Sequence, residues 1–261
     1  MYFKFNEDEQ HIVDLMHEFG EKEAGPRAAQ IDEQERFPEE NRKKLAEAGL
    51  MGICYPTEYG GSGHSYLADH HSLGSFPIAE FGTEEQKQKY LIPLLKGEKL
   101  GAFAVTEPSA GSDLGNQYTT AVDKGDYWIL NGSKIFITNG FYADTYFVTA
   151  KTDKSKRSRG ISAFIVEKGT PGFTFGTKEK KMGIRGSATY ELVFQDCKIP
   201  KENLLGEPGK GFKMALTTLD GGRIGVAAQA LGIAQSAIDH CKKYVTNHME
   251  DEHKLSQYQF T

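Results

Sequence analysis

Cysteine is scarce and scattered. Cys54, Cys197 and Cys241 are odd in number, scattered, and contain no Cys-x-x-Cys spacing. That excludes a disulfide framework and a cysteine-based zinc site, and it is the usage expected of a reducing compartment. Basic charge is not in excess either. Lys and Arg total 31 against 36 Asp and Glu, a formal net charge of −5, so there is no electrostatic basis for holding nucleic acid or an anionic membrane. No run approaches the ~20 apolar residues of a membrane-spanning helix. Met1 to Glu9 turns acidic at once, without the apolar stretch of a signal peptide or the Arg-rich, acid-poor character of a transit peptide, and a cytoplasmic location is expected.

Other catalytic signatures are also missing. His64 and Asp69-His70-His71 lack a Glu-x-x-His spacing or an accompanying Cys, and read as solvated loop residues rather than a metal site. Gly206-Glu207-Pro208-Gly209-Lys210-Gly211 has Gly211 where a phosphate-binding P-loop requires Ser or Thr. Neither a Gly-x-Ser-x-Gly elbow nor a dinucleotide fingerprint of the Gly-x-Gly-x-x-Gly type occurs.

What is present is enough chain, 261 residues with 38% hydrophobic content, for buried cores in one large or two smaller domains. The first hundred residues carry helical patterns. Ile12, Leu15, Met16 and Phe19 form an apolar stripe. A second helix is predicted from Pro38 to Ala48, stopped by Gly49. A third opens at the capping box Thr83-Glu84-Glu85-Gln86 and turns Tyr90, Leu91, Leu94 and Leu95 inward.

From about Tyr118 the period becomes two. Tyr127 to Leu130 and Lys134 to Thr138 flank Asn131-Gly132-Ser133, which predicts a hairpin there. Further strand-like runs at 145–149, 162–166 and 189–194 complete an antiparallel β-domain. After Pro200 the helical period returns, with one long helix predicted over 212–244, rich in small residues, and a polar tail from Asn247 onward.

Three segments carry candidate chemistry, each beside a plainer reading. Thr106 to Asp113 offers small residues, hydroxyls and N–H groups that suit a phosphate-bearing ligand, or forms an ordinary Gly- and Ser-containing turn. Lys134 to Gly140 presents an aromatic and a hydroxyl at a strand end, or is a strand with a core Phe. Asp220 and Arg223 stand three residues apart on the long helix, as a functional pair or as a surface ion pair. Gly221 and Gly222 between them are unfavourable inside a helix and suggest a close approach.

Taken together and in order, the segments resemble the acyl-CoA dehydrogenases, in particular the bacterial short-chain (butyryl-CoA) type. The resemblance rests on Tyr59 to Gly63, Phe81 to Leu91, Ala104 to Asp113, Leu130 to Gly140, Met182 to Ser187, Pro200 to Gly206 and Leu219 to Gln235. It implies an α+β multidomain fold: a helical domain over 1–100, a flavin-binding β-domain over 101–206, and the start of a C-terminal helical domain over 207–261.

The implied activity is FAD-dependent α,β-dehydrogenation of a short-chain acyl-CoA to the trans-2-enoyl-CoA, with electrons passed to an electron-transfer flavoprotein. The implied FAD contacts are Phe103, Val105, Thr106, Gly111, Ser112, Phe136, Ile137 and Thr138. Ser112, Asp220 and Arg223 match substrate-binding positions, and homo-oligomers, commonly tetramers, are the family's habit.

The sequence departs from that pattern in places. Gly63 to Ser72 replaces a segment longer by about 20 residues, ~30 Å of helix. His248-Met249-Glu250-Asp251-Glu252 stands where the family has an Arg and an aromatic that reach a neighbouring subunit's flavin, an exchange that weakens pyrophosphate binding. The base-bearing Glu has no counterpart. Some relatives carry it on the long helix, where Gly222 stands here, so no catalytic residue is assigned. Glu107 is expected to be structural. The competing expectation is an inactive shortened homologue that retains flavin or acyl-CoA binding, or pairs with a full-length relative.

Overall fold

The computed structural model describes residues 4–63, 70–250 and 253–257. His64 and Asp69, with most of the shortened segment, and Asp251 and Glu252 in the tail lie outside the described residues.

The first helix, α1 (Glu7–Phe19), starts at a capping box: the Glu9 N–H donates to Asn6 Oδ1 at 2.8 Å and the Asn6 N–H to Glu9 Oε2 at 2.9 Å. A π-helical turn, Gly20–Ala24, joins it to α2 (Gly25–Glu33). Of the expected stripe only Ile12 is fully buried, while Met16 is exposed. The pattern is right, but among the described residues no large surface packs against that face.

Helix α3 (Glu39–Glu47) follows Pro38, and Gly49 leaves it in the left-handed region at φ 70°. Helix α4 (His70–Phe81) precedes α5 (Glu84–Gln86), a π turn Lys87–Leu91 and α6 (Ile92–Leu95). Tyr90, Leu91, Leu94 and Leu95 are all buried, as their spacing predicts.

The middle of the chain is an eight-stranded sheet: β1 (Gly101–Ala104), β2 (Thr120–Asp123), β3 (Tyr127–Thr138), β4 (Thr145–Lys151), β5 (Ile161–Glu167), β6 (Phe173–Lys178), β7 (Thr189–Pro200) and β8 (Leu204–Leu205). The order is β6-β7-β3-β2-β4-β5-β8, with β1 beside β4. Most pairs are antiparallel, but β1 and β2 run parallel to β4, so the sheet is mixed rather than purely antiparallel. β1 enters directly from the helical segment and reaches β4 by a long connection, which a hairpin pattern could not reveal.

The hairpin predicted at Asn131-Gly132-Ser133 does not form. β3 runs straight through those residues, and the turn lies earlier, where Gly125 takes φ 89° between β2 and β3. Asn131 and Gly132 mark a bulge instead. The register with β7 shifts between Leu130 and Gly132, Asn131 Oδ1 accepts from the Asp196 N–H at 2.8 Å, and its amide donates to Asp196 Oδ1 at 3.1 Å. A Cβ at Gly132 would lie 2.5 Å from Thr119 Oγ1, so the side-chain-free position is needed inside the strand.

β4 is buried along Thr145–Ala150 because both faces are covered. Tyr146 and Val148 join Trp128, Leu130, Phe164 and Phe194 on one face. Phe147 joins Leu91, Leu94, Ile165, Leu205 and Met214 on the other, where α6 and the long helix pack. That helix, α7 (Gly211–Asn247), has 37 residues. Its first turns are anchored by buried Gly211, Met214, Ala215 and Thr218. Almost everything beyond Arg223 is exposed. Within the tail, β9 (Met249–Glu250) pairs with β10 (His253–Lys254). Among the described residues no helix is long and apolar enough to cross a membrane.

Candidate functional site

At the ends of β1 and β3 lies a cleft of about 530 Å³, within the ~300–1,000 Å³ common for small-molecule sites. Its floor is the β1 edge with Phe103, whose ring stacks on the buried Phe147 at 5.0 Å between centroids. One wall is the loop Val105, Thr106, Gly111 and Ser112. The other is the end of β3, Phe136 to Asn139. Leu216, Leu219 and Arg223 of α7, with Leu73 of α4, close the remaining side.

The eight positions singled out for a flavin therefore share one cleft. Ser112 and Arg223, two of the three substrate positions, also line it. Asp220 does not. Its side chain is 77% exposed and stands 3.7 Å from the Arg223 guanidinium, the geometry of a surface ion pair. Gly222 makes a close approach, but to protein: a Cβ there would lie 2.9 Å from a Leu73 methyl, so its absence lets α4 and α7 meet.

The β3 wall is shaped by backbone conformation. Phe136 adopts φ 59° and Asn139 φ 62°, left-handed values costly for residues with a side chain. The register with β7 breaks between Lys134 and Ile137. Phe136 is thereby turned outward, 59% exposed, while Ile137 returns to the core. The hydroxyls of Thr106, Ser112 and Thr138 have no hydrogen-bond partner among the described residues.

Behind the cleft is a charged cluster that sequence reasoning missed as a unit. Lys134 and Glu107 are both buried and pair at 2.7 Å. The Lys134 ammonium also donates to the Val105 carbonyl (3.2 Å), Gln117 Oε1 (3.1 Å) and Thr149 Oγ1 (3.3 Å). Glu107 further accepts from the N–H groups of Tyr118 and Thr119. Burial pushes Lys134 down to about 8, with Glu107 opposing the fall. Burial acts to raise the Glu107 carboxyl, yet Lys134 and the N–H donors together hold it below its ordinary value. The signal was in the strand period: Lys134 shares the inward phase of Trp128 and Leu130. Leu216 and Leu219 were equally legible, lying at helical spacing with Arg223.

No carboxylate or imidazole lines the cleft among the described residues. No group of His, Cys, Asp and Glu side chains able to hold a metal ion occurs among them either.

A mixed sheet flanked by helices, with a cleft at the ends of its first and third strands, is the architecture of a known class. Profiles of the acyl-CoA dehydrogenase N-terminal, middle and C-terminal domains match residues 6–70 and 64–98, 102–197, and 209–261, in that order. The chain belongs to the acyl-CoA dehydrogenase family.

A short-chain-specific acyl-CoA dehydrogenase of Clostridium acetobutylicum is 50% identical over 279 residues, covering 99% of this chain and 74% of the relative. The solved butyryl-CoA dehydrogenase of Megasphaera elsdenii superposes with a TM-score of 0.92 at 47% identity, over 99% of this chain and 74% of that one. A chain in the structure described as the electron transferring flavoprotein of Acidaminococcus fermentans superposes at 0.93 with 51% identity, over 99% and 73%. The N-terminal match breaks at 64–70, where the sequence departs from the family pattern.

Proposed function

We propose that this chain is a short-chain acyl-CoA dehydrogenase that holds FAD and an acyl-CoA thioester in the cleft between β1, β3 and α7, in the cytoplasm, and passes electrons to an electron-transfer flavoprotein. The observation that carries the reading is the convergence of Phe103, Val105, Thr106, Gly111, Ser112, Phe136, Ile137 and Thr138 on that one cleft.

The residues fit such a group. A cleft with an outward-turned aromatic on one wall and unpartnered hydroxyls on both suits a flat, polar-edged ring. Gly111 leaves open space, with no atom within 4 Å of the point where a Cβ would stand, so the loop can lie close to a ligand. When bound, FAD supplies the acceptor for the hydride leaving the β-carbon.

The chain's own residues align and enclose. Thr106 and Thr138 would offer hydroxyls to such a ring and Phe136 an aromatic surface, and Leu73, Leu216 and Leu219 would help to keep water from the thioester, whose α-proton is otherwise too weakly acidic to remove. Arg223 brings positive charge to the rim, where a CoA phosphate or carbonyl would meet it. The proton acceptor is not among the cleft-lining residues, so binding and alignment are assigned to this chain and turnover is the property to measure. The exposed apolar face of α7 supports a homo-oligomer.

The test is the visible spectrum of the purified chain after FAD reconstitution, before and after butyryl-CoA. A flavin spectrum that bleaches supports the reading. Protein that stays colourless and leaves butyryl-CoA unoxidised overturns it, and a flavin spectrum without bleaching leaves a binding protein rather than an enzyme.

A further inference from the structure

We infer that Lys134, acting with Glu107, is a positioning residue that fixes the separation of the two cleft walls. The inference rests on the proposed flavin site and concerns residues behind it. The Lys134 ammonium holds the Val105 carbonyl at 3.2 Å and the Glu107 carboxylate at 2.7 Å, the residues immediately before and after Thr106. Thr106 itself is tied to the neighbouring position, since its carbonyl accepts the Ile135 N–H at 2.9 Å. One side chain thus grips the loop wall on both sides of Thr106, which lines the cleft.

The same lysine is the last residue in regular register with β7 before the break that turns Phe136 outward. From a fixed Lys134, the left-handed Phe136 and the inward Ile137 follow within three residues, so the second wall is placed from the same anchor.

Stability alone does not call for an ion pair here. A buried pair is commonly replaceable by apolar residues of similar volume at no loss. What apolar residues cannot do is grip a carbonyl, a carboxylate, an amide oxygen and a hydroxyl in fixed directions. Lys134 is fully buried and its four partners leave it no approach to a ligand, so its role passes through Thr106 and Phe136.

The decisive variant is the double substitution Glu107→Leu with Lys134→Met, which keeps volume and removes both charges. Three readouts are taken: the urea midpoint, FAD affinity with the visible spectrum of bound flavin, and backbone amide exchange of residues 104–113 and 134–139 in the ligand-free chain. The expected result is a lowered midpoint, since the Tyr118 and Thr119 N–H groups and the Val105 carbonyl lose their partners, together with FAD binding weakened at least tenfold with a shifted spectrum, and exchange of both segments accelerated at least tenfold more than that of β4 and β5.

Native FAD affinity and native exchange in a folded double variant would overturn the inference. Native chain that binds no FAD overturns the functional reading instead, and the exchange arm then decides the clamp by itself. Should the double variant fail to fold, Glu107→Gln, which keeps shape and weakens the grip, is read by exchange in the same segments, and unchanged exchange there counts against the clamp.

Discussion

Gln86 and Leu204 stand 118 positions apart, yet the Gln86 side-chain amide donates to the Leu204 carbonyl at 2.9 Å. It also donates to the Glu202 carbonyl at 2.7 Å, while its oxygen accepts the Thr83 N–H at 3.1 Å. A residue that caps a helix therefore also joins that helix to the loop entering β8. Gln86→Ala should cost about 2–4 kcal/mol, since it leaves two carbonyls without donors at a buried joint. Gln86→Glu should keep the cap but set a carboxylate against those carbonyls, with a deficit that shrinks as the pH falls and the acid protonates. Urea denaturation at neutral and acid pH measures both, and a neutral Gln86→Ala would refute the joint.

The capping box itself was legible, because it is local. The joint was not, because nothing near residue 86 encodes its partners. The same division holds elsewhere. The strands β3, β4, β5 and β7 and the helices α1, α3 and α7 followed from periodicity, whereas β2, β6 and α4 did not, and the composition of Thr106 to Asp113 left a ligand loop and an ordinary turn both open. The parallel pairing of β1 with β4 is a long-range choice invisible to local pattern.

Asn131-Gly132 misled for a related reason. The pair is a strong turn signal, but a bulge uses the same backbone freedom, and only the partner strand decides between them. Gly132 sits at φ 144° with Thr119 where a Cβ would go. Gly132→Ala should destabilise by about 2–4 kcal/mol, from strain plus a clash that Thr119 must yield to. Thermal and urea unfolding measure it. A cost no greater than that of an ordinary surface change would mean that Asn131-Gly132 is a tolerant turn after all.

The buried Glu107–Lys134 pair predicts an inverted pH response on substitution. In the native chain the Glu107 carboxyl lies below its ordinary value. Its contribution to stability is therefore complete above pH ~4.5 and is lost as the pH falls through the lowered folded value. Lys134→Met leaves the carboxylate buried without its counter-charge, and burial then drives its pKa above the unfolded value. The variant should lose about 3–5 kcal/mol at pH 7, and regain part of it between pH 7 and 5, where the folded state takes up a proton first. Urea midpoints at the two pH values decide the sign. A variant that weakens on acidification in parallel with the native chain would contradict the assignment.

Arg223 and Asp220 separate the cleft from its surroundings. Arg223 lines the cleft and Asp220 does not. Arg223→Ala should therefore weaken acyl-CoA binding about tenfold, the loss of about 1.4 kcal/mol, with FAD affinity unchanged. Asp220→Ala should leave both within error. Equal losses from the two variants, read by calorimetry, would instead point to a role for the ion pair itself.

The outer part of α7 predicts self-association. From Ile224 to Ile238 the helix has no charged residue, and Ile224, Leu231, Ile233 and Ile238 are exposed. An uncharged helix face carrying several large apolar residues is one that is normally buried. Ile224, Leu231 and Ile238 recur every seven residues, with Ala227 and Ala234 between them, the a and d spacing of a helix seam whose small residues allow close approach. The seam is continuous along the outer helix and carries no like charges to oppose a second copy. Sedimentation equilibrium should show an assembly larger than one chain at micromolar concentration. Leu231→Asp should shift it to monomer, because two copies would each bring an unpaired carboxylate into the seam, while leaving the sheet and its cleft intact by circular dichroism. A native chain that sediments as a monodisperse monomer would remove the seam from the reading.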